Sequence, residues 1–300
     1  MRMSHISQII KANKPTVTFE FFPPRTPEVS GKLFETIKTL EAYDPSFVSV
    51  TYGAGGTTRQ TTHELVKRIC EETKIPPIPH LTCIGHSKEE ISEILDKYSD
   101  LGVHTILALR GDPPVNNPDY DRSQDDFQYA GDLVSFIKNF ESAKTPRGTF
   151  GIGVAGFPEG HHHTPDRLQE MAYMKQKVEQ GADYICTQLF FDNNAFFDYK
   201  DRCHLEGINI PIIAGVMPIT TLKGMKRMAE LSAGTNFTAK LLRRVYRYQD
   251  SPQDLKKAGI DFAIEQCQEL IDRGVDGIHL YTLNQSTATV EILKQLKINR

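Results

Sequence analysis

Eight short runs of apolar, β-branched and aromatic residues recur along the chain, separated by longer segments with helical periodicity. This alternation is typical of βα units that assemble into a parallel sheet. The predicted strands are residues 16–23, 47–53, 77–83, 104–111, 150–158, 184–191, 211–218 and 277–284. Because eight parallel strands close a (β/α)8 TIM barrel, we expect an α/β fold of that kind, with residues 1–300 forming a single domain.

Glycines placed just before predicted strands support this repeat. Helices commonly end in a residue of left-handed conformation, which glycine adopts without strain. The glycines in this position are Gly102, Gly181, Gly207 and Gly274. An open, doubly wound sheet is the alternative, but the GxGxxG fingerprint that follows the first strand of nucleotide-binding folds is missing.

Two segments depart from the simple alternation. Residues 235–253 predict an extra helix between strands 7 and 8, and its basic face is expected to be merely solvated. That face consists of Lys240, Arg243, Arg244 and Arg247. Residues 112–127 follow the fourth strand and are rich in Pro, Asn and Asp. They predict a long loop, which is either an active-site lid or a surface excursion.

Composition excludes several classes of protein. The formal net charge is -3 and the basic residues form no single dominant stripe, so nucleic acid is not an expected partner. No segment approaches the ~18 apolar residues of a membrane span, and the N-terminus is too polar for a signal peptide, so we expect a cytoplasmic protein. The five cysteines lack CxxC spacing, which indicates reduced thiols, although a catalytic thiol at Cys83 or Cys186 stays open.

Polar residues are frequent at the C-terminal ends of the predicted strands. In (β/α)8 barrels these ends face one mouth, where active sites lie. The candidates are Glu20, Thr51, Tyr52, His80, Arg110, Asp112, Glu159, His161, Gln188, Tyr281 and Asn284. We therefore expect the functional site at this mouth.

Glu20 is the most unusual of these candidates, because it interrupts the apolar run TVTFEFFPP. Its side chain should point into the barrel. Desolvation in such surroundings raises the pKa of a carboxyl group, which suits a general acid near neutral pH. The alternative is a buried glutamate that pairs with a neighbouring Lys or Arg for structure.

Arg110, Gly111 and Asp112 end the fourth strand with a cation, a permissive backbone position and an anion. Arg110 offers a planar fork for a phosphate or a ring system. Asp112 can accept paired N–H donors from an aminopyrimidinone such as a pterin. A simple ion pair between the two is the alternative.

Three consecutive histidines occupy residues 161–163. Adjacent residues in one turn seldom point at the same ion, and no carboxylate at a suitable spacing completes a site. We therefore expect no metal here. His161 is instead expected to contact a cofactor phosphate or ring.

Six motifs at these strand ends resemble methylenetetrahydrofolate reductase, an FAD-dependent barrel enzyme. They are FEFFPPR (19–25), SVTYGAGG (49–56), PHLTC (79–83), LRGDPP (109–114), TQLFFD (187–192) and YTLN (281–284). The resemblance spans nearly the whole chain and is similar to the bacterial form, which consists of the catalytic barrel alone. It implies no inhibition by S-adenosylmethionine, and it implies a homo-oligomer.

The resemblance also implies roles for individual residues. Glu20 matches the general acid, and Asp112 matches a residue beside the flavin that contacts the pterin. The implied FAD-binding positions are Thr51, Tyr52, Ala54, His80, Arg110, Gly111, Asp112, Tyr129, Ala130, Phe157, His161 and Lys177. The implied substrate-binding positions are Glu20, Asp112, Gln188, Met228, Tyr281 and Gln285.

The implied reaction has two halves. NADH or NADPH passes a hydride to FAD and departs. The folate then binds to the same face of the flavin, and Glu20 protonates N10 to open the five-membered ring before hydride transfer forms the 5-methyl group.

Several residues depart from the family's usual pattern. Met228 stands where Phe is common, Gln285 where Arg is common, and Phe157 where Tyr is common. On the sixth predicted helix, Tyr173 and Gln176 stand where Asn and Arg often hold the cofactor. We expect these differences to affect affinity for folate, nicotinamide donor and FAD rather than the proton chemistry.

Three rival functions stay open from the residues themselves. A flavin barrel of the proline dehydrogenase type would oxidise an amino acid, although the FEFFPP and RGD motifs argue against it. A flavin-free pterin-binding barrel would present methylfolate to a corrinoid protein. A noncatalytic partner barrel would have no need of a carboxylate in an apolar strand.

Overall fold

The computed structural model describes residues 5–24, 26–53, 58–113, 117, 119–232 and 234–298. Eight parallel strands form a closed barrel in the order of the sequence. The strands are β1 (Thr16–Phe21), β2 (Phe47–Val50), β3 (Pro77–Thr82), β4 (Thr105–Leu109), β5 (Gly151–Gly156), β6 (Tyr184–Thr187), β7 (Ile212–Val216) and β8 (Gly277–Tyr281). The predicted (β/α)8 barrel is therefore confirmed, and the doubly wound alternative is wrong.

Helices cover the outside of the barrel and close its lower end. Within the described residues they are α1 (Ile6–Ala12), α2 (Pro27–Glu41), α3 (Arg59–Glu72), α4 (Lys88–Asp100), α5 (Ala130–Asn139), α6 (Arg167–Glu179), α7 (Asn193–Leu205), α8 (Leu222–Leu231), α9 (Ala239–Tyr246), α10 (Pro252–Asp272) and α11 (Thr287–Gln295). The extra helix predicted between strands 7 and 8 is α9. Gly102, Gly181, Gly207 and Gly274 all have positive φ, between 75° and 117°.

Each strand is shorter than its predicted run. The first run was predicted to extend to residue 23, for example, whereas β1 ends at Phe21. The remaining residues leave the sheet and become part of the loops at the C-terminal mouth, where their backbone groups no longer pair along the ladder. The polar residues that end each run therefore line the mouth.

Alternation along β1 places Glu20 in the barrel interior. Phe19 and Phe21 pack into the apolar layer between the strands and the outer helices. Successive side chains of a strand point to opposite faces, so Thr18 and Glu20 point inward. The carboxylate of Glu20 is thus held among side chains from neighbouring strands, opposite Ser49 of β2 and Tyr281 of β8 in the register.

The interior is apolar at its lower end and polar at its upper end. Helix α1 places Ile6 and Ile10 in a buried cluster with Phe47, Ile78 and Tyr184 from the strands. This cluster closes the N-terminal end of the barrel. Above it the inward-facing residues include Thr18, Glu20, His80 and His279, which are all buried.

The segment that joins α8 to α9 lies over the tops of β5 and β6. The Thr235 hydroxyl donates a hydrogen bond of 3.3 Å to the carbonyl of Leu189, and the Asn236 amide donates one of 2.8 Å to the Glu159 carboxylate. Helix α8 begins soon after β7. The α8–α9 segment therefore forms one wall of the mouth, beside strands β5, β6 and β7.

Two further features concern chain chemistry. None of the helices in the described ranges is long and apolar enough to cross a membrane. All five cysteines are free, and Cys83, Cys186, Cys203 and Cys267 are buried, as the sequence predicts.

Candidate active site

Glu20 lies between two histidines in the upper interior. Its side chain is 9% exposed, and its Oε2 lies 3.5 Å from Nε2 of His80 and 3.6 Å from Nε2 of His279. These separations exceed ordinary hydrogen-bond lengths. Among the described residues, no Lys or Arg nitrogen lies within 4.0 Å of the Glu20 carboxylate, so the structural ion pair considered for Glu20 is not seen.

His80 contributes an imidazole and no full positive charge near neutral pH. Burial lowers the pKa of His80 to about 4, while the nearby Glu20 carboxylate opposes the shift and His279 adds to it. Desolvation disfavours the charged imidazolium more than one carboxylate favours it. The Glu20 carboxylate therefore has a neutral ring on its His80 side.

His279 is a member of this group that the sequence did not single out. Its Nδ1 lies 2.7 Å from the Thr18 hydroxyl, and its Nε2 lies 3.5 Å from the Ser49 hydroxyl. The ring also meets Tyr281 edge to face, with centroids 5.1 Å apart. His279 stands two residues before Tyr281 in the same strand, so period-two alternation would have placed both on the interior face.

Tyr281 forms the upper part of this interior group. Its hydroxyl donates a hydrogen bond of 2.8 Å to the carbonyl of Thr187, which ties β8 to β6 across β7. The hydroxyl of Thr282 donates one of 2.6 Å to the carbonyl of Glu20. These bonds fix the backbone on which Glu20 is held.

The buried thiols do not behave as nucleophiles. Burial raises the pKa of Cys83 to about 11 and raises the pKa of Cys186 far above the ordinary value for a thiol. The thiolate is the reactive form of cysteine, and burial in an apolar setting disfavours it. The reading of both as structural thiols is supported.

Gly111 holds a backbone position that only glycine suits. Its φ is +82°, and a Cβ there would lie 2.6 Å from Cγ2 of Ile84 and 2.8 Å from Cβ of Thr82. Arg110 on one side is partly exposed, and Asp112 on the other is exposed at the mouth. No ion pair joins Arg110 to Asp112 within the described part of the chain, so both are available to a ligand.

Three basic groups gather beside this turn. Desolvation lowers the pKa of His161 to about 4, with further contributions from Arg110, the neighbouring histidines and Lys177. Lys177 donates a hydrogen bond of 3.1 Å to the carbonyl of Ala155, and desolvation lowers its pKa to about 8 against the opposing effect of Glu170. Like charges held together in partly desolvated surroundings are an arrangement that an anion stabilises.

Aromatic groups flank these cations. Tyr129 is 63% exposed and Tyr173 is 48% exposed, and their rings are stacked with centroids 6.4 Å apart. Phe157 meets His161 edge to face at 4.6 Å. Ala130 follows Tyr129 as the first residue of α5. Flat, exposed aromatic faces beside cations suit a ligand that has both a ring system and phosphates.

Thr51 and Tyr52 follow β2 at the same mouth and are partly buried. The hydroxyl of Tyr52 lies 3.0 Å from Nε2 of His86, and burial raises the pKa of Tyr52 to about 12. Ala54 lies outside the described residues, so its implied contact with FAD stays a prediction.

The implied folate contacts divide by location. Gln188 ends β6 and is partly buried, with its side-chain oxygen accepting a hydrogen bond from the Leu189 amide. Met228 is buried on α8 in a cluster that Tyr281 also contacts. Gln285 is exposed beyond β8. The barrel thus brings Gln188 and Tyr281 to the mouth, with Met228 in the adjoining wall.

The histidines at 161–163 lie close together, yet no group of three potential metal-ligating residues is found within the described ranges. His161 stacks on His162 with ring centroids 4.9 Å apart. Their rings contact one another rather than converge on a common point.

The described part of the 112–127 loop folds onto its own polar groups. Arg122 donates to the carbonyl of Gln128, and the amide of Gln128 donates 2.9 Å to the carbonyl of Asp125. Phe127 is buried in the core. Whether the loop acts as a lid stays a hypothesis, and residues 114–116 and 118 lie outside the described ranges.

Comparisons with known proteins agree on one family. The family model described as methylenetetrahydrofolate reductase matches residues 5–297. Methylenetetrahydrofolate reductase (NADH) 1 of Arabidopsis thaliana is 36% identical over 97% of this chain and 50% of its own length. The chain thus spans about half the length of that plant relative. In Escherichia coli, 5,10-methylenetetrahydrofolate reductase is 34% identical over 94% of this chain and 90% of its own length.

Among solved structures, a Clostridium thermocellum protein described as binding two copies of 5-methyl-5,6,7,8-tetrahydrofolic acid superposes with a TM-score of 0.60. It covers 97% of this chain and 98% of its own, at 14% sequence identity, and so supports the fold alone. The family match and the 34% identity along most of the Escherichia coli relative carry the assignment. This chain belongs to the methylenetetrahydrofolate reductase family.

Proposed function

We propose that the protein reduces 5,10-methylenetetrahydrofolate to 5-methyltetrahydrofolate, with NADH or NADPH as the hydride donor and FAD as the carrier. The product would supply methyl groups for methionine synthesis. The observation that carries the proposal is Glu20, a buried carboxylate between His80 and His279, directly below a mouth lined with cations and exposed aromatic rings. The name of the Arabidopsis relative favours NADH.

The residues at the mouth fit FAD. Arg110, His161 and Lys177 would hold its diphosphate, because their charges are close together and are unmatched by a nearby acid pair. Tyr129 and Phe157 offer ring faces, and the Gly111 turn would let the backbone approach the isoalloxazine ring closely. When bound, FAD would supply hydride chemistry, first accepting a hydride from the nicotinamide and then, after exchange of ligands, giving it to the folate.

The protein's own groups would act on the folate. Asp112, exposed at the mouth, would accept N–H donors of the pterin, and Gln188 would complete that contact. Glu20 would donate a proton to N10, the C–N10 bond of the five-membered ring would break, and an iminium would form at N5. Hydride addition to the iminium carbon then gives the methyl group, so one proton and one hydride are consumed.

The interior suits Glu20 for this task. A neutral His80 leaves the ionised carboxylate poorly compensated, which favours transfer of a proton to and from the carboxyl group rather than a permanent ion pair. The bonds from Thr282 and from Tyr281 keep the carboxyl group at a fixed height below the mouth. Fixed geometry is what general-acid catalysis requires.

The test is the visible absorption spectrum of the purified protein, recorded anaerobically before and after NADH and again after methylenetetrahydrofolate. Flavin bands that bleach with NADH and return with the folate support both half-reactions. A protein without flavin bands, even after FAD is added, contradicts the proposal. If such a protein still binds methyltetrahydrofolate, the flavin-free pterin-binding function replaces it.

A further inference from the structure

The α8–α9 segment carries a charge that contrasts with the rest of the chain. Residues 222–247 contain seven Lys and Arg residues and one acidic residue, Glu230, while the whole chain has a net charge of -3. The remaining surface is therefore distinctly acidic. This positive charge is local, and it lies in the wall of the mouth described above.

The basic residues form a stripe on each helix. Lys223, Lys226 and Arg227 are spaced at three and four residues on α8, and Lys240, Arg243, Arg244 and Arg247 follow the same spacing on α9. Residues at this spacing lie on one face of a helix. The stripe on α9 extends over roughly 10 Å, given a rise of about 1.5 Å per residue.

Most of these charges are unmatched. Arg227 pairs with Glu230, and Arg244 pairs with Glu265 of α10. The others form no ion pair with any residue that the structure describes; they are Lys223, Lys226, Lys240, Arg243 and Arg247, and all five are exposed. Like charges at spacings of three and four destabilise a helix. An arrangement that weakens its own helices points to an anionic ligand.

The position of the patch relates it to the substrate. Thr235 and Asn236, between the two helices, contact Leu189 and Glu159 at the tops of β6 and β5. Met228 of α8 lies in the same cluster as Tyr281, which stands next to Glu20 in the sheet register. A folate whose pterin lies above Glu20 has its glutamate end outside the barrel, beside this wall.

We propose that the basic stripe of α9, continued by α8, binds the carboxylates of a folate tail extended by γ-linked glutamates. The inference rests on the proposed function and adds a substrate class to it. Each added glutamate brings one negative charge, so a tail of several residues matches a stripe of several cations. A long nucleic acid fits less well, because the acidic remainder of the surface repels an extended polyanion but not a short tail tethered at the mouth.

The test compares dissociation constants of 5-methyltetrahydrofolate with one and with five glutamates, measured by calorimetry on the FAD-loaded protein. The α9 variant combines Lys240→Ala, Arg243→Ala and Arg247→Ala. The control variant combines Lys11→Ala, Lys97→Ala and Lys294→Ala, which removes the same charge from exposed positions on α1, α4 and α11.

Three exposed charge contacts predict that the wild-type protein binds the pentaglutamate about 10-fold more tightly than the monoglutamate. This advantage should fall to within about 2-fold in the α9 variant, persist in the control variant and shrink at high salt. All three proteins should bind the monoglutamate alike.

Equal affinity of the wild-type protein for both folates, or an α9 variant that keeps the advantage, overturns the inference. Loss of heparin binding in the α9 variant with the pentaglutamate advantage intact assigns the patch to another polyanion and also overturns it. Failure of every protein to bind even the monoglutamate identifies the proposed function itself as the fault.

Discussion

Nε2 of His80 lies 3.5 Å from Oε2 of Glu20 and, within the described residues, makes no hydrogen bond. A buried polar atom without a partner is uncommon in folded proteins and is concentrated at functional sites. The pair therefore leaves hydrogen-bonding capacity unused directly beneath the mouth. A bound ligand, or the proton carried by Glu20, can take up that capacity.

The lowered pKa of His80 predicts acid sensitivity. The folded protein keeps His80 neutral down to about 4, whereas the unfolded chain takes up a proton near 6.5. Unfolding is therefore favoured as the pH falls from about 6.5 towards about 4. His80 alone accounts for at most about 3 kcal/mol of the free energy of unfolding lost over this range.

Urea unfolding at a series of pH values checks this prediction. The variant His80→Gln should show a shallower loss of stability between pH 6.5 and 4 than the wild-type protein, whatever its stability at neutral pH. Equal slopes in the two proteins would show that His80 is not desolvated in the folded state.

Lys177 predicts that FAD binding weakens in alkaline solution. Desolvation lowers the pKa of Lys177 to about 8, so the free protein loses this charge as the pH rises above that value. If Lys177 holds the diphosphate, the dissociation constant of FAD should increase above pH 8, as measured by flavin fluorescence. Lys177→Arg is the matched control, because a guanidinium stays charged throughout. An identical pH dependence in both proteins would exclude Lys177 as a diphosphate ligand.

Gly111 predicts a cost of substitution beyond backbone strain. Gly111→Ala places a Cβ 2.6 Å from Ile84, while Gly148→Ala has a similar φ of +77° and open space around it. Strain alone should lower the free energy of unfolding by about 1 kcal/mol in Gly148→Ala. Overpacking should add about 1–3 kcal/mol in Gly111→Ala. Similar losses in both variants, measured by urea unfolding, would contradict the close packing of this turn.

The barrel was predictable because its signals are local. Each apolar run and each glycine before a strand can be read within a short window, and the strand count then selects the closed sheet. The ends of strands were less predictable. Phe22 continues the first apolar run but lies beyond β1, because ladder pairing rather than composition ends a strand.

The site was predictable only in part, for a different reason. Glu20 stands out because a carboxylate interrupts an apolar run. His279 does not, since its contact with Glu20 depends on the pairing of β1 with β8 across more than 250 residues of sequence. Arg110, His161 and Lys177 likewise belong to separate βα units, and only closure of the barrel brings them together.

The role of Glu20 is tested most directly by the variant Glu20→Gln, which keeps the shape of the side chain but cannot donate the proton. Stopped-flow absorbance follows the two half-reactions separately. The account predicts that NADH still reduces the flavin at close to the wild-type rate, while reoxidation by methylenetetrahydrofolate slows by roughly 10²-fold or more. Equal slowing of both half-reactions, or unchanged reoxidation, would contradict Glu20 as the general acid.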